Sequence, residues 1–132
     1  CPQDWLMFAS SCYYFSPQNQ RRSWDASRKY CLQNAADLVI INSTQEQVLF
    51  IRNSLLRRIF PWVGMTDREE EGKWTWVDGT PVKDERVQWA RGQPDGAFGG
   101  EDCGELRLLR YFNGLNDLNC STAIQWICEK ML

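Results

Sequence analysis

Histidine is absent from this sequence of 132 residues. Its absence excludes a Ser-His-Asp or Cys-His nucleophilic centre, and it also excludes the common zinc sites that are built on imidazole. The 17 Asp and Glu residues would still allow a hydrolase that works through a pair of carboxylates. Because no other feature points to such a reaction, we predict that the chain is not an enzyme.

Long apolar runs and an excess of positive charge are absent as well. No stretch reaches the ~18 consecutive apolar residues that a membrane-spanning helix needs, and none has the pattern of a signal peptide. We therefore expect an extracellular ectodomain, either secreted or carried by a membrane stalk that lies outside this chain. The net charge of -2 argues against a nucleic-acid partner, which would require a basic surface.

Six cysteines are present, and none of them belongs to a CxxC pair of the kind that clips a metal. They lie at Cys1, Cys12, Cys31, Cys103, Cys120 and Cys128. An even number without metal-like spacing indicates three disulfides formed in an oxidising compartment. The spacing alone leaves open all of the 15 pairings that six cysteines allow.

The length fits a single domain, residues 1–132, and its first half carries two helix signals. Ser23 is the predicted cap of a helix from Trp24 to about Asn34. A second helix should follow the capping box Ser43-Thr44-Gln45-Glu46. The predicted inward faces are Trp24, Ser27, Cys31 and Ala35 on the first helix and Val48, Ile51, Leu55 and Ile59 on the second.

Short apolar and aromatic runs predict strands that pair in an antiparallel manner and carry the two helices. The runs cover residues 12–16, 38–41, 62–65, 74–77, 103–109, 113–120 and 124–130. Between Gly79 and Cys103 lies a long segment without periodicity, which in a compact domain is usually functional or disordered. Together these elements predict an α+β fold.

Several sequence motifs occur together and in one order along the chain. They are Cys1-Pro2-x-x-Trp5 with Ser11-Cys12-Tyr13, Trp62-Val63-Gly64-Met65, Trp74-x-Trp76-x-Asp78-Gly79 and Trp126-Ile127-Cys128-Glu129. This set resembles the long form of the C-type lectin-like domain, and is closest to vertebrate type II receptors of the asialoglycoprotein-receptor and dendritic-cell lectin group. The resemblance implies a C-type lectin fold, with two helices packed on antiparallel sheets, a long calcium-binding loop and disulfides Cys1–Cys12, Cys31–Cys128 and Cys103–Cys120.

Oxygen-bearing side chains lie in and just after the aperiodic segment. They are Gln93, Asp95, Glu101, Asn116 and Asp117, and a hard calcium ion selects carboxylate and amide oxygens of this kind. The resemblance implies that these five residues form a principal Ca2+ site, and that Gln93, Asp95, Glu101 and Asn116 also bind sugar hydroxyls. The competing interpretation is an ordinary surface turn at Gln93-Pro94-Asp95.

An auxiliary calcium site at Asp67, Glu71 and Asp102 is also implied by the resemblance, with Glu101 as a bridge. Gly96 stands where a side-chain ligand of such a site often lies. The alternative is that Glu69-Glu70-Glu71 is only a solvated acidic turn.

The Gln-Pro-Asp triplet resembles that of family members that bind galactose or N-acetylgalactosamine, whereas Glu-Pro-Asn is typical of mannose-type members. Two departures weigh against the galactose class. Strong galactose binders of the family usually have a Trp that stacks on the sugar where this sequence has Ala97. Phe98 is the nearby aromatic residue, and it either contacts the sugar or only plugs the loop. The loop to Glu101 is also as short as in mannose-type members. Leu115 also stands where members of the family normally have a Trp before the Asn-Asp pair, a residue that mainly packs the core. We predict galactose-type binding, with mannose- or fucose-type specificity as the alternative.

The partners implied by the resemblance are terminal sugars on glycans or glycoproteins. The receptor would be an innate-immune lectin, either secreted or the ectodomain of a type II membrane protein, and any oligomer would form through a stalk outside this chain. A protein-binding domain of the natural-killer-receptor kind is the second interpretation, although such domains commonly lack the calcium ligands. Ice binding is a third, and no flat Thr-rich face supports it.

A glycosylation sequon, Asn42-Ser43-Thr44, stands at the entrance of the second predicted helix. We expect Asn42 to be an exposed glycan acceptor, whereas in the alternative Asn42 and Ser43 only cap the helix. Asn119-Cys120-Ser121 also has the sequon pattern, but a disulfide beside the metal loop argues against its use.

Overall fold

The computed structural model describes residues 1–83, 102–109 and 112–132. Within them, two α-helices and two four-stranded sheets form the α+β fold that the sequence predicts. The elements are β1 (Leu6–Phe8), β2 (Ser11–Phe15), α1 (Trp24–Gln33), β3 (Asp37–Leu38), α2 (Thr44–Arg57), β4 (Trp62–Thr66), β5 (Thr75–Trp76), β6 (Cys103–Leu109), β7 (Phe112–Leu118) and β8 (Ile127–Met131). Neither helix in this part of the chain has the length and apolar character needed to cross a membrane.

The first sheet joins the two ends of the chain in the order β1-β2-β8-β3. The predicted strand at residues 38–41 contributes only Asp37–Leu38 to it, although Val39 and Ile41 are buried as expected. The reason is that Val39 links both sheets: its N–H donates to Ile127 O at 3.0 Å, and its carbonyl accepts from Gly64 N at 2.8 Å. The run is therefore a bridge between sheets and not a full strand of one sheet.

The second sheet has the order β5-β4-β6-β7 and carries the candidate site. Its strand β6 has the bounds that the sequence predicts, whereas the predicted strand at 74–77 shortens to Thr75–Trp76. The shortening follows from the turn after Trp76, where Asp78 Oδ1 accepts from Thr80 N at 3.0 Å and the Gly79 backbone has φ 89°.

Helix α1 begins as predicted, since Ser23 Oγ accepts a hydrogen bond from Ala26 N at 3.2 Å. Three residues of its predicted inward face are buried, namely Trp24, Ser27 and Cys31. The prediction for Ala35 is wrong. The helix ends at Gln33, and Ala35 lies beyond it, exposed and in the left-handed region with φ 57°.

Helix α2 also begins at its predicted cap, because Ser43 Oγ accepts from Glu46 N at 3.1 Å. The returning contact differs by one residue from a standard capping box, since Glu46 Oε2 accepts from Asn42 N at 3.0 Å. The predicted inward face is wrong, because Val48 and Leu55 are about half exposed. The helix instead buries Gln47, Phe50 and Ser54, and the fully buried Phe50 ring packs against Tyr13 with ring centroids 5.0 Å apart. Ile59 is buried, but it follows the helix.

Three disulfides connect the pairs that the resemblance implies, Cys1–Cys12, Cys31–Cys128 and Cys103–Cys120. The Cys31–Cys128 bridge spans 97 residues and lies in a buried cluster with Trp24, Trp62 and Trp126. In the chain-entropy estimate a loop of this length contributes roughly 4.7 kcal/mol to stability. This bridge joins α1 to β8 and so ties the start of the fold to its end.

Candidate functional site

The pairing of β4 with β6 brings two acidic residues to one end of the second sheet. Asp67 follows the last residue of β4, and Asp102 precedes the first residue of β6. The strands pair there at Thr66 and Cys103, and Asp67 N donates to Asp102 O at 3.1 Å. Thr66 Oγ1 also donates to Asp102 O. The backbone thus fixes the relative position of the two carboxylates.

Glu71 joins this pair from the turn that follows β4. The turn is held by Gly72 N, which donates to Asp67 Oδ2 at 3.0 Å, and by Lys73 N, which donates to Glu70 O at 2.9 Å. Carboxylate oxygens of Asp67, Glu71 and Asp102 consequently lie within 4.8 Å of one another. We call these three residues the carboxylate cluster.

The carboxylate cluster concentrates negative charge. Burial raises the pKa of the Asp67 carboxyl, and the nearby Asp102 adds to that rise. The Asp102 carboxyl, followed by the charge of Asp67, raises the pKa of Glu71. The neighbouring cation Arg68 forms an ion pair with Asp25 at 2.8 Å instead of with a cluster member. The contact with Asp25, and to a smaller extent the charge of Asp102, raises the pKa of Arg68, but no cation of the described residues forms an ion pair with a member of the carboxylate cluster.

Two oxygens of the carboxylate cluster are buried without a hydrogen-bond partner among the described residues. They are Asp67 Oδ1 and Asp102 Oδ1. An unpaired buried carboxylate oxygen is costly, and such atoms usually have a partner that is a donor, a water or an ion. Three clustered carboxylates, two of which have an unpaired buried oxygen, form a donor set that suits a hard divalent cation such as Ca2+. The residues present thus fit the predicted auxiliary calcium site.

Asn116 occupies a buried position on β7, directly opposite Glu105 of β6. Its Nδ2 donates to Glu105 Oε1 at 2.8 Å. Arg107 Nη2 lies 2.9 Å and Arg107 Nε 3.1 Å from the same glutamate oxygen. Burial raises the pKa of Glu105, which is 2% exposed, while the charge of Arg107 opposes that rise. Glu105 and Arg107 were not among the predicted site residues.

Asp117, the second predicted ligand on β7, is also buried and pairs in register with Gly104. Its charge adds to the larger effects that raise the pKa of Glu71 and of Glu105. Asp117 therefore lies within electrostatic reach of both the carboxylate cluster and the Glu105–Asn116 pair. The Cys103–Cys120 disulfide joins the first residue of β6 to Cys120, which lies just beyond the end of β7.

The structure brings three of the predicted ligands together, namely Asp67, Glu71 and Asp102. Two more, Asn116 and Asp117, are consecutive residues of β7, the strand that pairs with β6. The other predicted residues, Gln93, Asp95, Phe98 and Glu101, lie outside the described residues. The signal that could have found Glu105 is its period-2 spacing with Arg107, which places an acid and a base on the same face of a strand.

The predicted glycan acceptor Asn42 is exposed at the start of α2. It borders a surface cavity together with Trp76, Thr80 and Pro81. Its backbone N–H donates to Glu46, whereas its side chain makes no hydrogen bond within the described part of the chain.

Comparison with known proteins decides the family. A model of the lectin C-type domain matches residues 20–130. The chain belongs to the C-type lectin domain family. This is a family of binding domains without enzymatic activity, in agreement with the prediction from the sequence. The three disulfides and two sheets described above are those of the C-type lectin fold.

Individual members of the family are similar over almost the whole chain. The human CD209 antigen is 40% identical over 131 residues, which cover 98% of this chain and 31% of that protein. The chain thus spans about a third of the length of this curated relative. The carbohydrate-recognition domain of the mouse scavenger receptor C-type lectin superimposes with a TM-score of 0.87 at 36% identity, covering 99% of this chain and 96% of that one. The C-type lectin domain of murine dendritic cell inhibitory receptor 2, solved in complex with an N-glycan, gives a TM-score of 0.87 at 30% identity, covering 100% and 99%.

Proposed function

We propose that this C-type lectin domain binds glycans in a calcium-dependent manner. The observation that carries the proposal is the carboxylate cluster, in which Asp67 Oδ1 and Asp102 Oδ1 are buried and without a partner among the described residues. Burying a carboxylate oxygen without a partner costs free energy, and a bound cation would offset that cost. The N-glycan complex of a domain with the same fold supports glycans as the ligand class.

Asp67, Glu71 and Asp102 would hold the auxiliary ion, and Glu101 would bridge to the principal one. Gln93, Asp95, Glu101, Asn116 and Asp117 would hold the principal ion. A calcium ion takes 6–8 oxygen ligands, so a site of this kind keeps positions open for two sugar hydroxyls. The same amide and carboxylate groups then hydrogen-bond those hydroxyls, with Phe98 as the apolar contact.

The order amide–proline–carboxylate at Gln93-Pro94-Asp95 favours galactose or N-acetylgalactosamine. The exchange of donor and acceptor across the ion suits a diol with one equatorial and one axial hydroxyl. Ala97 and the short loop to Glu101 are the features that favour mannose- or fucose-type ligands, which form the second candidate specificity.

The domain would act outside the cell, as part of a secreted or membrane-anchored receptor. Its disulfides support an oxidising compartment. Binding by one domain is expected to be weak, so that presentation of several domains on one receptor would supply the avidity.

A glycan array, probed with the domain in millimolar calcium and again with a chelator, tests the proposal. We expect signals on glycans with terminal galactose or N-acetylgalactosamine that disappear with the chelator. Signals on mannose- or fucose-terminated glycans would retain the calcium mechanism and change the specificity. Absence of chelator-sensitive binding to any glycan, together with an undiminished affinity for a protein ligand, would overturn the proposal in favour of a protein receptor.

A further inference from the structure

Glu105 is a buried carboxylate in the middle of a strand, where an apolar residue would be the ordinary choice. It is 2% exposed, and its strand neighbour Leu106 is fully buried. Burial of a carboxylate costs free energy unless charged and hydrogen-bonding partners compensate it. The compensation here comes from two residues, Arg107 on the same strand and Asn116 on the paired strand. Both partners contact the same carboxylate oxygen, Oε1 of Glu105.

The contact between Glu105 and Asn116 allows only one orientation of the amide. An ionised carboxylate only accepts hydrogen bonds, whereas an amide group has a donating and an accepting end. Nδ2 of Asn116 donates to Glu105 Oε1 at 2.8 Å. The flipped amide would place Oδ1 of Asn116 against the carboxylate oxygen, with lone pairs facing each other. Glu105 therefore fixes which end of the Asn116 side chain remains for other partners.

Arg107 favours the ionised form of the Glu105 carboxyl, which can accept a hydrogen bond from Asn116 but cannot donate one. Both Nη2 and Nε of Arg107 contact Oε1 of Glu105, at 2.9 and 3.1 Å. Residues two apart on a strand share a face, so the guanidinium reaches the carboxylate from the side, while Asn116 reaches it from the paired strand. The cation favours a carboxylate at position 105 that accepts and does not donate.

We propose that Glu105 is a positioning residue that turns the Asn116 side-chain oxygen toward the principal calcium site. This inference rests on the proposed function, in which Asn116 Oδ1 is a ligand of that ion. With Nδ2 engaged, Oδ1 is the free end, and among the described residues it accepts no hydrogen bond. The amide also has a second N–H, which would donate to a sugar hydroxyl and for which no other acceptor is recorded among the described residues. Glu105 thus acts on metal and sugar only through Asn116.

The inference predicts how two substitutions at position 105 affect calcium affinity. Glu105→Leu fills a similar volume but lets the amide turn, and we expect an affinity loss of about 10–100-fold, the range seen when hydrogen-bond partners of metal ligands are removed. Glu105→Gln keeps a carbonyl acceptor for Asn116, so its loss should be several-fold smaller. Isothermal titration of the metal-free protein with CaCl2 measures both, after circular dichroism has verified that each variant is folded.

Glu129 provides the matched control. It is a partly buried glutamate on β8 of the other sheet, where it accepts from Ser11 Oγ at 3.0 Å and from Ile40 N at 3.2 Å. Glu129→Leu should lower the stability of the fold. Calcium affinity should stay within about 2-fold of wild type, because Glu129 contacts no predicted calcium ligand among the described residues.

A double-mutant cycle separates positioning from a merely structural role. Once Asn116→Ala has removed the amide, Glu105→Leu should cost no further calcium affinity. Side-chain amide NMR signals of Asn116 in the metal-free protein give a second readout: they should be shifted in wild type and move toward free-amide positions in Glu105→Leu.

The outcomes separate the positioning role of Glu105 from calcium binding itself. Calcium uptake by wild type with losses that add across Glu105→Leu and Asn116→Ala, or an unchanged affinity of Glu105→Leu, would overturn the positioning role and leave the proposed function intact. Absence of calcium uptake by wild type at neutral pH would overturn both. Non-additive losses together with shifted Asn116 amide signals would support the inference.

Discussion

Asp67 and Asp102 are joined through their backbones, with Asp67 N donating to Asp102 O at 3.1 Å at the point where β4 pairs with β6. Their carboxylates lie side by side as a result, and each has a buried Oδ1 without a partner among the described residues. The sheet thus holds like charges together before any ion is bound. A cation bound at this point would relieve the repulsion, and that relief would be part of its binding free energy.

The substitution Asp67→Asn should separate the stability of the metal-free protein from its response to calcium. The amide keeps an oxygen that can accept from Gly72 N, and its NH2 group can donate to the unpaired Asp102 Oδ1. We expect the metal-free protein to gain on the order of 1 kcal/mol, the net worth of one hydrogen bond. Calcium bound at one site raises the free energy of unfolding by about 2.7 kcal/mol at a free concentration of ~100 Kd. In Asp67→Asn this increase should be lost for the auxiliary site. Thermal unfolding with CaCl2 and with EDTA measures both.

Asp37→Asn is the control for this experiment, because Asp37 forms an ion pair with Arg28 at 3.0 Å away from the carboxylate cluster. It should lower stability slightly and equally in both buffers. An Asp67→Asn protein that is less stable without calcium, with the full calcium response preserved, would contradict a metal role for the cluster.

Removal of the Cys103–Cys120 disulfide should weaken calcium binding. The bridge has a sequence separation of 17 and joins Cys103, the residue after Asp102, to Cys120, which lies just beyond the strand that carries Asn116 and Asp117. Cys103→Ser with Cys120→Ser should cost roughly 3 kcal/mol of stability, the estimate for a loop of about 15 residues. Calcium affinity, measured by titration at a temperature where the variant is folded, should fall as well.

The Cys1–Cys12 bridge is a matched comparison, since it closes a loop of 11 residues in the other sheet. Cys1→Ser with Cys12→Ser should cost a similar amount of stability without changing calcium affinity. Equal losses of calcium affinity in the two double variants would mean that the metal site depends on the stability of the whole domain and not specifically on the Cys103–Cys120 disulfide.

Phe50→Ala should be strongly destabilising, because the Phe50 ring is fully buried between α2 and Tyr13. A cavity of this size typically costs about 3–5 kcal/mol. Leu55→Ala on the same helix removes a side chain that is 49% exposed, and we expect it to cost about 1 kcal/mol or less. Urea unfolding followed by circular dichroism compares them. A larger loss for Leu55→Ala would restore the helix face that the sequence predicts.

The face of α2 illustrates what the sequence could not determine. Val48, Ile51 and Leu55 have ideal helical spacing, but Phe50 is larger, and burying it turns the helix by about one residue position. Local signals predict the starts of both helices, since Ser23 and Ser43 cap helices at the predicted positions. Orientation depends on which side chain fits the space left by the sheets, and spacing carries no information on that space.

The candidate site shows the same limit. Asp67, Glu71 and Asp102 were predicted from motif resemblance, and the strand pairing brings them together as that resemblance implies. Glu105 was missed because its role depends on the register that places it opposite Asn116 across β6 and β7. Strand register is a tertiary property, so a partner of this kind becomes visible only once the strands are aligned.

Asn42 should carry an N-linked glycan when the domain is secreted by glycosylating cells. Asn42 and Thr44 are both exposed, and the Asn42 side chain makes no hydrogen bond within the described residues. Asn119, by contrast, has its Oδ1 engaged by Ser121 N at 2.9 Å and by Ser121 Oγ at 2.7 Å. We expect Asn42→Gln to abolish the mass that peptide-N-glycosidase removes, while Asn119→Gln keeps it.

Position 44 supplies the control for glycosylation. Thr44→Ser preserves the sequon and should retain the glycan, whereas Thr44→Ala should lose it without affecting the Ser43 cap. A glycan that persists in Asn42→Gln would exclude Asn42 as the acceptor.

Sugar preference should change when the donor and acceptor of the Gln93-Pro94-Asp95 triplet are exchanged. In Gln93→Glu with Asp95→Asn the number of side-chain oxygen donors and the net charge stay constant, so calcium affinity should change by no more than a few-fold. The pattern of hydrogen bonds offered to the two sugar hydroxyls is reversed, which should move preference from galactose toward mannose by about 10-fold, the equivalent of roughly 1.4 kcal/mol. Competition by free galactose and free mannose against an immobilised glycoprotein measures the ratio. The single variant Asp95→Asn is the control, since it removes a charge and should weaken both sugars together with calcium. An unchanged ratio in the double variant, with calcium affinity retained, would show that specificity comes from residues other than this triplet.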